Sequence, residues 1–335
     1  MLNVIQRFVE KTIETQKKLH NSSVSSEQEF INRNHDIFIQ KTISPKCMNI
    51  FNIMEKYLTR FRNNKMVNTR DMNDYSAKKV FLIVVNYHHN NYSSAVFIRN
   101  VIYNLFALYY PYDFDLLLIG PRTNINQNVL GNELPTRGYY SYHSLTVAYN
   151  TFPPQCGYRY SGYFLANDDS CLQPKFLGLE NHNRAMAESW FKWTNKTHWM
   201  WNWKINSHNI SFSQAFFEAL DEIDMNPSIS KLCVYNRSQL RKGWGDFFYV
   251  PKSLISRFLK IEDVMFKHQV FLESAVPFIM NCLNATIISN CNHGKMLQRE
   301  TCVHLHPVKY SRMDERSICI NRITNTSLLE RPNTW

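Results

Sequence analysis

The chain has 335 residues, of which 44% are hydrophobic; this excludes a disordered polymer and allows one large α/β domain plus an additional module. Only nine glycines are present and none forms a Gly-rich phosphate loop, which excludes phosphate binding of the Rossmann dinucleotide or Walker type. A formal net charge of +11 suits an anionic partner (a nucleotide, an acidic glycan, nucleic acid or a membrane surface), but the lysines and arginines are dispersed, which favours a solvated basic face over nucleic-acid binding.

Residues 1–70 read as helical. Leu2, Ile5, Phe8 and Ile13 recur at helix spacing, and Ser26 with Glu29 forms a capping box ahead of Phe30. Ser44-Pro45 opens a third predicted helix with Phe51, Met54, Leu58 and Phe61 on one face. No catalytic constellation lies here, so residues 1–75 are assigned to a helical N-terminal extension or stem and 76–335 to the main domain.

Val80–Val85 is apolar throughout, as expected of a strand buried on both faces, and ends in Asn86-Tyr87-His88-His89. A predicted helix follows, carrying Val96, Arg99, Ile102, Leu105 and Leu108, and then a second buried strand, Phe114–Ile119. Strand, helix and strand at this spacing make a βαβ unit. Gly138–Ala148 reads as a helix. Tyr163-Phe-Leu-Ala is a further buried strand, and it ends abruptly in Asn167-Asp168-Asp169-Ser170.

Ligands of open α/β sheets bind beyond the carboxyl ends of the strands. Paired carboxylates there can hold a hard divalent cation while leaving positions for substrate phosphates. The competing reading is an ordinary turn, in which Asn and Asp are favoured.

Residues 180–210 are aromatic and irregular, with Trp190, Trp193, Trp199, Trp201 and Trp203. Such a cluster can stack on sugar rings, although core packing is the commoner use. Further helices are expected over Phe212–Ile223, Leu254–Met265 and Val270–Leu283. Phe247–Val250 reads as a strand with Asp246 at its entry. Near the end lies Val303-His304-Leu305-His306-Pro307-Val308-Lys309-Tyr310.

Eight cysteines occur without a CxxC pair, which argues against a zinc ribbon or a thioredoxin-like motif. Cys282, Cys291, Cys302 and Cys319 cluster late, compatible with disulfides in an oxidising lumen and equally with buried thiols; if the protein is lumenal, at least one pair within this group is expected to bridge. Asn-x-Ser/Thr sequons at Asn21, Asn91, Asn195, Asn209, Asn236, Asn284 and Asn325 give weak support for secretion, because the chain is rich in Asn. The N-terminus shows no signal peptide. No apolar run reaches the length of about 18 residues that suggests a transmembrane helix.

A βαβ start, Asn167-Asp168-Asp169 at a strand end, Phe271-Leu-Glu273-Ser-Ala-Val-Pro277 and His306-Pro-Val-Lys309 follow one another in this order. Over about residues 78–312 the chain resembles a GT-A-fold glycosyltransferase with a DxD-type metal site, most like the exostosin-like branch. The resemblance implies an α/β, Rossmann-related and mostly parallel sheet flanked by helices. It implies transfer of a sugar from a nucleoside-diphosphate donor, UDP-linked, to a glycan, glycoprotein or other hydroxyl acceptor. It implies Mn²⁺ or Mg²⁺ as cofactor and a Golgi or ER lumenal setting; with no signal or anchor visible, a cytoplasmic one stays open.

By the resemblance Asp169 and His306 are the metal ligands, Asp168 takes the middle DxD position, and Lys309 neutralises the leaving diphosphate. Asn167 stands where the family usually has Asp, so it carries no charge but can still bond a sugar hydroxyl. Asn86 and Tyr87 are candidates for the base, by edge contact and stacking. Glu273 best matches the family's catalytic acid, with Asp246 and Asp263 as runners-up. The alternatives are a catalytically inactive glycan- or nucleotide-binding derivative of the fold, a sugar-nucleotidyltransferase and, on charge alone, a nucleic-acid-binding module.

Overall fold

The computed structural model describes residues 47, 49–50, 56–62, 65–67, 79–88, 91–132, 139–174, 183–188, 190–192, 204–233, 235–288, 290–292 and 304–324. The two helices expected before residue 44, and Trp193, Trp199, Trp201 and Trp203, lie outside them. The chain divides into two units, Met1–Ile53 and Met54–Trp335, and the elements below belong to the second.

In chain order the strands are β1 (Leu58–Arg62), β2 (Lys65–Val67), β3 (Val80–Asn86), β4 (Asp113–Gly120), β5 (Val129–Gly131), β6 (Gly162–Asn167), β7 (Cys171–Leu172), β8 (Met186–Glu188), β9 (Trp190–Lys192), β10 (Arg241–Gly243), β11 (Phe247–Pro251), β12 (Thr286–Ile288), β13 (Asn290–Asn292) and β14 (His304–His306). The longer helices among the described residues are α1 (residues 95–109, with a π segment at Ile98–Ile102), α2 (His143–Thr151), α3 (Phe212–Met225), α4 (Ile255–Lys267), α5 (Leu272–Cys282) and α6 (Met313–Thr324).

Among the described residues nine strands form one sheet, in the order β12-β8-β11-β6-β3-β4-β1-β2, with β5 beside β4. Its centre is parallel: β3 pairs in parallel with both β4 and β6. All residues of β3 and β6 are buried, because helices cover both faces of a parallel sheet. Each large apolar side chain so removed from water contributes about 1.5–3 kcal/mol. The fold is thus α/β with a mixed sheet flanked by helices, of Rossmann-like character. It is less parallel than the sequence suggests, since β1, β2 and β11 run antiparallel to their neighbours.

The third predicted helix is corrected in part: Leu58 and Phe61 stand on β1, antiparallel to β4. Tertiary contacts decide this. Phe61 stacks on Phe114 at 4.5 Å, and the buried Arg62 guanidinium meets buried Asp115 at 2.8 Å. Helical spacing of the same residues cannot supply that carboxylate.

The antiparallel sense of β11 shapes the sheet's working end. Its entrance lies against the exit of β6, where the Asn167 amide donates to the Asp246 carbonyl at 3.1 Å. The parallel register brings Asn86 of β3 level with Asn167. A small three-stranded sheet, β13-β14-β7, stands beside this end and carries His304 and His306. No helix among the described residues is long and apolar enough to cross a membrane.

Two described disulfides join distant segments, Cys171 to Cys319 and Cys233 to Cys282. The late cysteines Cys282 and Cys319 therefore bridge to earlier residues rather than to each other, while Cys302 lies outside the described residues.

Candidate metal centre

Asp168 and Asp169 occupy the tight turn between β6 and β7. The Asp168 amide donates to the Asn86 carbonyl at 2.9 Å, continuing the ladder one residue past the strand, and Ser170 N–H closes the turn on the Asn167 carbonyl at 3.0 Å. The Asp169 carbonyl accepts from Val308 N–H at 2.6 Å, which fastens the turn to the segment after β14. Both carboxylates remain about a fifth exposed, with side-chain exposures of 23% and 21%.

Two histidines meet this pair, and two further side chains stand behind one of them. His306 Nε2 lies 3.2 Å from Asp169 Oδ1, and its Nδ1 lies 3.6 Å from Asp246 Oδ2. His88 Nδ1 lies 3.7 Å from Asp168 Oδ1. Buried Asn167 donates its amide to Asp246 Oδ1 at 2.6 Å. A divalent cation with bonds of about 2.1–2.2 Å holds neighbouring ligands roughly 3 Å apart and opposite ones roughly 4.3 Å apart. The Asp169–His306 pair already has such a separation. His88, Asp168 and Asp169 offer a second set, whose ligand atoms all lie within 4.8 Å of one another. Carboxylate oxygens with imidazole nitrogen suit Mn²⁺ better than Mg²⁺, and the residues present fit such an ion.

The electrostatics are those of acids and histidines packed against one another. Burial lifts the Asp168 carboxyl to about 6 against the pull of His88, with Asp169 adding to the rise. Burial would also raise Asp169, but the His306 hydrogen bond and charge hold it below the usual carboxylate range. Burial raises Asp246 although His306 opposes it. Burial would lower His306, but Asp246 and Asp169 together push it up to about 10. A cation bound through His306 must displace that proton. Apparent Mn²⁺ affinity should therefore rise with pH, by up to about tenfold per unit below neutrality. Competition titrations from pH 6 to 8 that show no pH dependence would remove His306 from the ligand set.

Asn167 has a local explanation. Its amide faces the Asp246 carboxylate, so an aspartate here would set two buried carboxylates against each other. Asn167→Asp should force one of them to stay protonated and destabilise the fold by about 2–4 kcal/mol at neutral pH, less in acid. Equal stability of the variant and the parent in denaturant titrations at pH 7 would refute this.

The other expected residues are placed as follows. Asn86 is fully buried, with its side-chain oxygen accepting from Ser144 at 2.6 Å, and Tyr87 packs edge-on against Tyr92 inside the core. Both reach the right strand end but turn inward. Lys309 is exposed beyond β14, and its backbone N–H donates to Glu315. Glu273 is buried in the first turn of α5, charge-coupled to buried Lys242 on β10. Asp263 is exposed on α4, while its neighbour Glu262 turns inward to His143 at 2.9 Å and Thr146 at 2.6 Å.

Three residues without an expected role lie against this cluster: His88 beside Asp168, and the buried pair Glu188 and His304 beside Asp246 and Ser170. Glu188 lies in a three-residue strand too short to show a period, and its signal in the sequence is nil. No protein-family model matches the chain, and no curated protein matches it.

Proposed function

We propose that the protein is a metal-dependent glycosyltransferase of GT-A type, using a nucleoside-diphosphate sugar, UDP-linked, with Mn²⁺ as the preferred ion. The observation that carries the reading is the meeting of Asp169 and His306 at 3.2 Å, from segments 137 positions apart (306 − 169), at the carboxyl end of parallel strands. A bound cation would supply positive charge where the departing diphosphate gathers negative charge. Asp169 and His306 would hold it, with Asp168 and His88 on its open side. Lys309, exposed three residues after His306, would screen the diphosphate. Glu273, in the first turn of α5 with Lys242 near it, is the proposed acid-base group. The acceptor is proposed to be a glycan or glycoprotein hydroxyl, and the net charge of +11 favours an acidic one. The two described disulfides support folding in an oxidising lumen, Golgi or ER.

Binding linked to the ion tests this directly. UDP should raise the melting temperature in Mn²⁺ and leave it unchanged in chelator; at a hundred times Kd the gain is about 2.7 kcal/mol. Equal stabilisation by UDP with and without the ion would overturn the metal reading. Stabilisation by an oligonucleotide in place of UDP would point to the nucleic-acid alternative. UDP binding with neither hydrolysis nor transfer of a UDP-sugar would leave the non-catalytic derivative as the better description.

A further inference from the structure

We propose that Glu188 and His304 form a positioning relay that sets the metal-binding turn from behind, an inference that rests on the metal reading above. One oxygen of Glu188 accepts from His304 Nδ1 at 2.6 Å, and the other accepts the backbone N–H groups of Asp246 and Phe247, each at 3.0 Å. The far nitrogen of the same ring, His304 Nε2, meets Ser170 Oγ at 2.8 Å. Glu188 and His304 are 1% and 0% exposed, so neither reaches substrate or solvent.

The chemistry fixes the direction of these bonds. As an ionised carboxylate Glu188 can only accept, so Nδ1 of His304 carries the proton of that bond. In the neutral ring Nε2 then accepts the Ser170 hydroxyl. Ser170 is the residue after Asp169, and its carbonyl is held by Tyr310 Oη at 2.8 Å. His304 shares one face of β14 with His306, and their rings lie 5.7 Å apart and nearly parallel, at 18°. A single buried carboxylate thus locates three chain segments at once: the turn bearing Asp169, the strand bearing His306 and the β11 entrance bearing Asp246. A cation site needs all three fixed together, because ligands from separate segments bind one ion tightly only when their spacing is preset.

The test compares His304→Phe, which keeps ring volume and removes both hydrogen bonds, with His304→Gln, whose amide can donate to Glu188 and accept from Ser170. Mn²⁺ binding is read from the loss of the free-ion electron paramagnetic resonance signal, at a temperature where circular dichroism shows each protein folded. His304→Phe should bind Mn²⁺ about 10–100-fold more weakly, and His304→Gln should recover most of that loss. Ser170→Ala removes a single bond of the relay. It should weaken Mn²⁺ several-fold with its melting temperature within a few degrees of the parent, and it decides the matter if His304→Phe does not fold. A folded His304→Phe or Ser170→Ala protein with parental Mn²⁺ affinity overturns the relay and leaves the metal reading standing. A His304→Gln protein as weak as His304→Phe also overturns it, since volume rather than hydrogen bonding would then be at issue. A parent protein that takes up no Mn²⁺ overturns the metal reading and the relay with it.

Discussion

Asp169→Asn should abolish Mn²⁺-dependent binding of UDP. Asp169 is the carboxylate closest to His306, at 3.2 Å, and its charge is held in the ionised form by that histidine. The amide keeps the shape and one acceptor oxygen but removes the charge that balances the ion. The loss should exceed the roughly 10–100-fold that changes behind a metal site produce, which means more than about 2.7 kcal/mol. His306→Ala should weaken the same binding strongly, by removing the nitrogen donor and admitting water. If both residues serve one ion, the double variant should lose much less than the sum of the two losses. His88→Ala separates the two ligand sets. A small effect places the ion on the Asp169–His306 side, and an effect equal to that of Asp169→Asn extends the site across Asp168. Isothermal titration of Mn²⁺, then of UDP at saturating Mn²⁺, measures each step. Unchanged Mn²⁺ affinity in His306→Ala would show that the contact with Asp169 is an ion pair of the fold and nothing more. Glu273→Gln should bind donor and ion as the parent does and transfer sugar slowly, since its proposed role starts after the donor is bound.

The parts of this site that the sequence reveals are those whose signal is local. Asn167-Asp168-Asp169 follows an apolar run, so both the strand and its polar end are visible, and Val80–Val85 declares its buried strand in the same way. His306 is recognisable only through its order after the Asn-Asp-Asp turn. Glu188 and His304 cannot be recognised at all. A buried Glu looks like a surface residue until the partners that satisfy it are known, and here those partners come from β11 and β14, 58 and 116 positions away. The same blindness explains β1. Arg60 and Arg62 are both buried on β1, and Arg62 is accommodated by Asp115 from a strand more than fifty residues later. The turn inward of Asn86 has a similar cause: its partner Ser144 arrives on α2. Period and composition locate strands and their ends. The pairing of buried polar groups, which here determines how the site is held, depends on contacts that no window of sequence contains.

Loss of the Cys171–Cys319 bridge should lower stability by up to about 5 kcal/mol, the chain-entropy value for a closed loop of this size. The bridge spans 148 positions, so the unfolded chain gains a great deal of freedom when it opens. That is a third or more of the 5–15 kcal/mol that ordinarily separates a folded domain from its unfolded chain. The bridge also has a local consequence. Cys171 lies two residues after Asp169 on β7, and Cys319 is fully buried on α6, where its sulfur lies 3.4 Å from Tyr310 Oη. Tyr310 in turn holds the Ser170 carbonyl, so bridge and hydrogen bond fasten the Asp168-Asp169 turn to α6 together. In the double variant Cys171→Ser, Cys319→Ser the unfolding midpoint in urea should fall steeply, and amide exchange should quicken first in residues 168–172 and 304–320, with β3 and β4 protected until global unfolding. Mn²⁺ affinity measured well below the melting temperature should fall as well, because Asp169 then samples positions away from His306. A variant with a parental urea midpoint would show that hydrogen bonds and packing alone hold α6 in place. A lower midpoint with parental Mn²⁺ affinity would confine the bridge's role to the unfolded chain and leave the turn fixed by Ser170 and its partners.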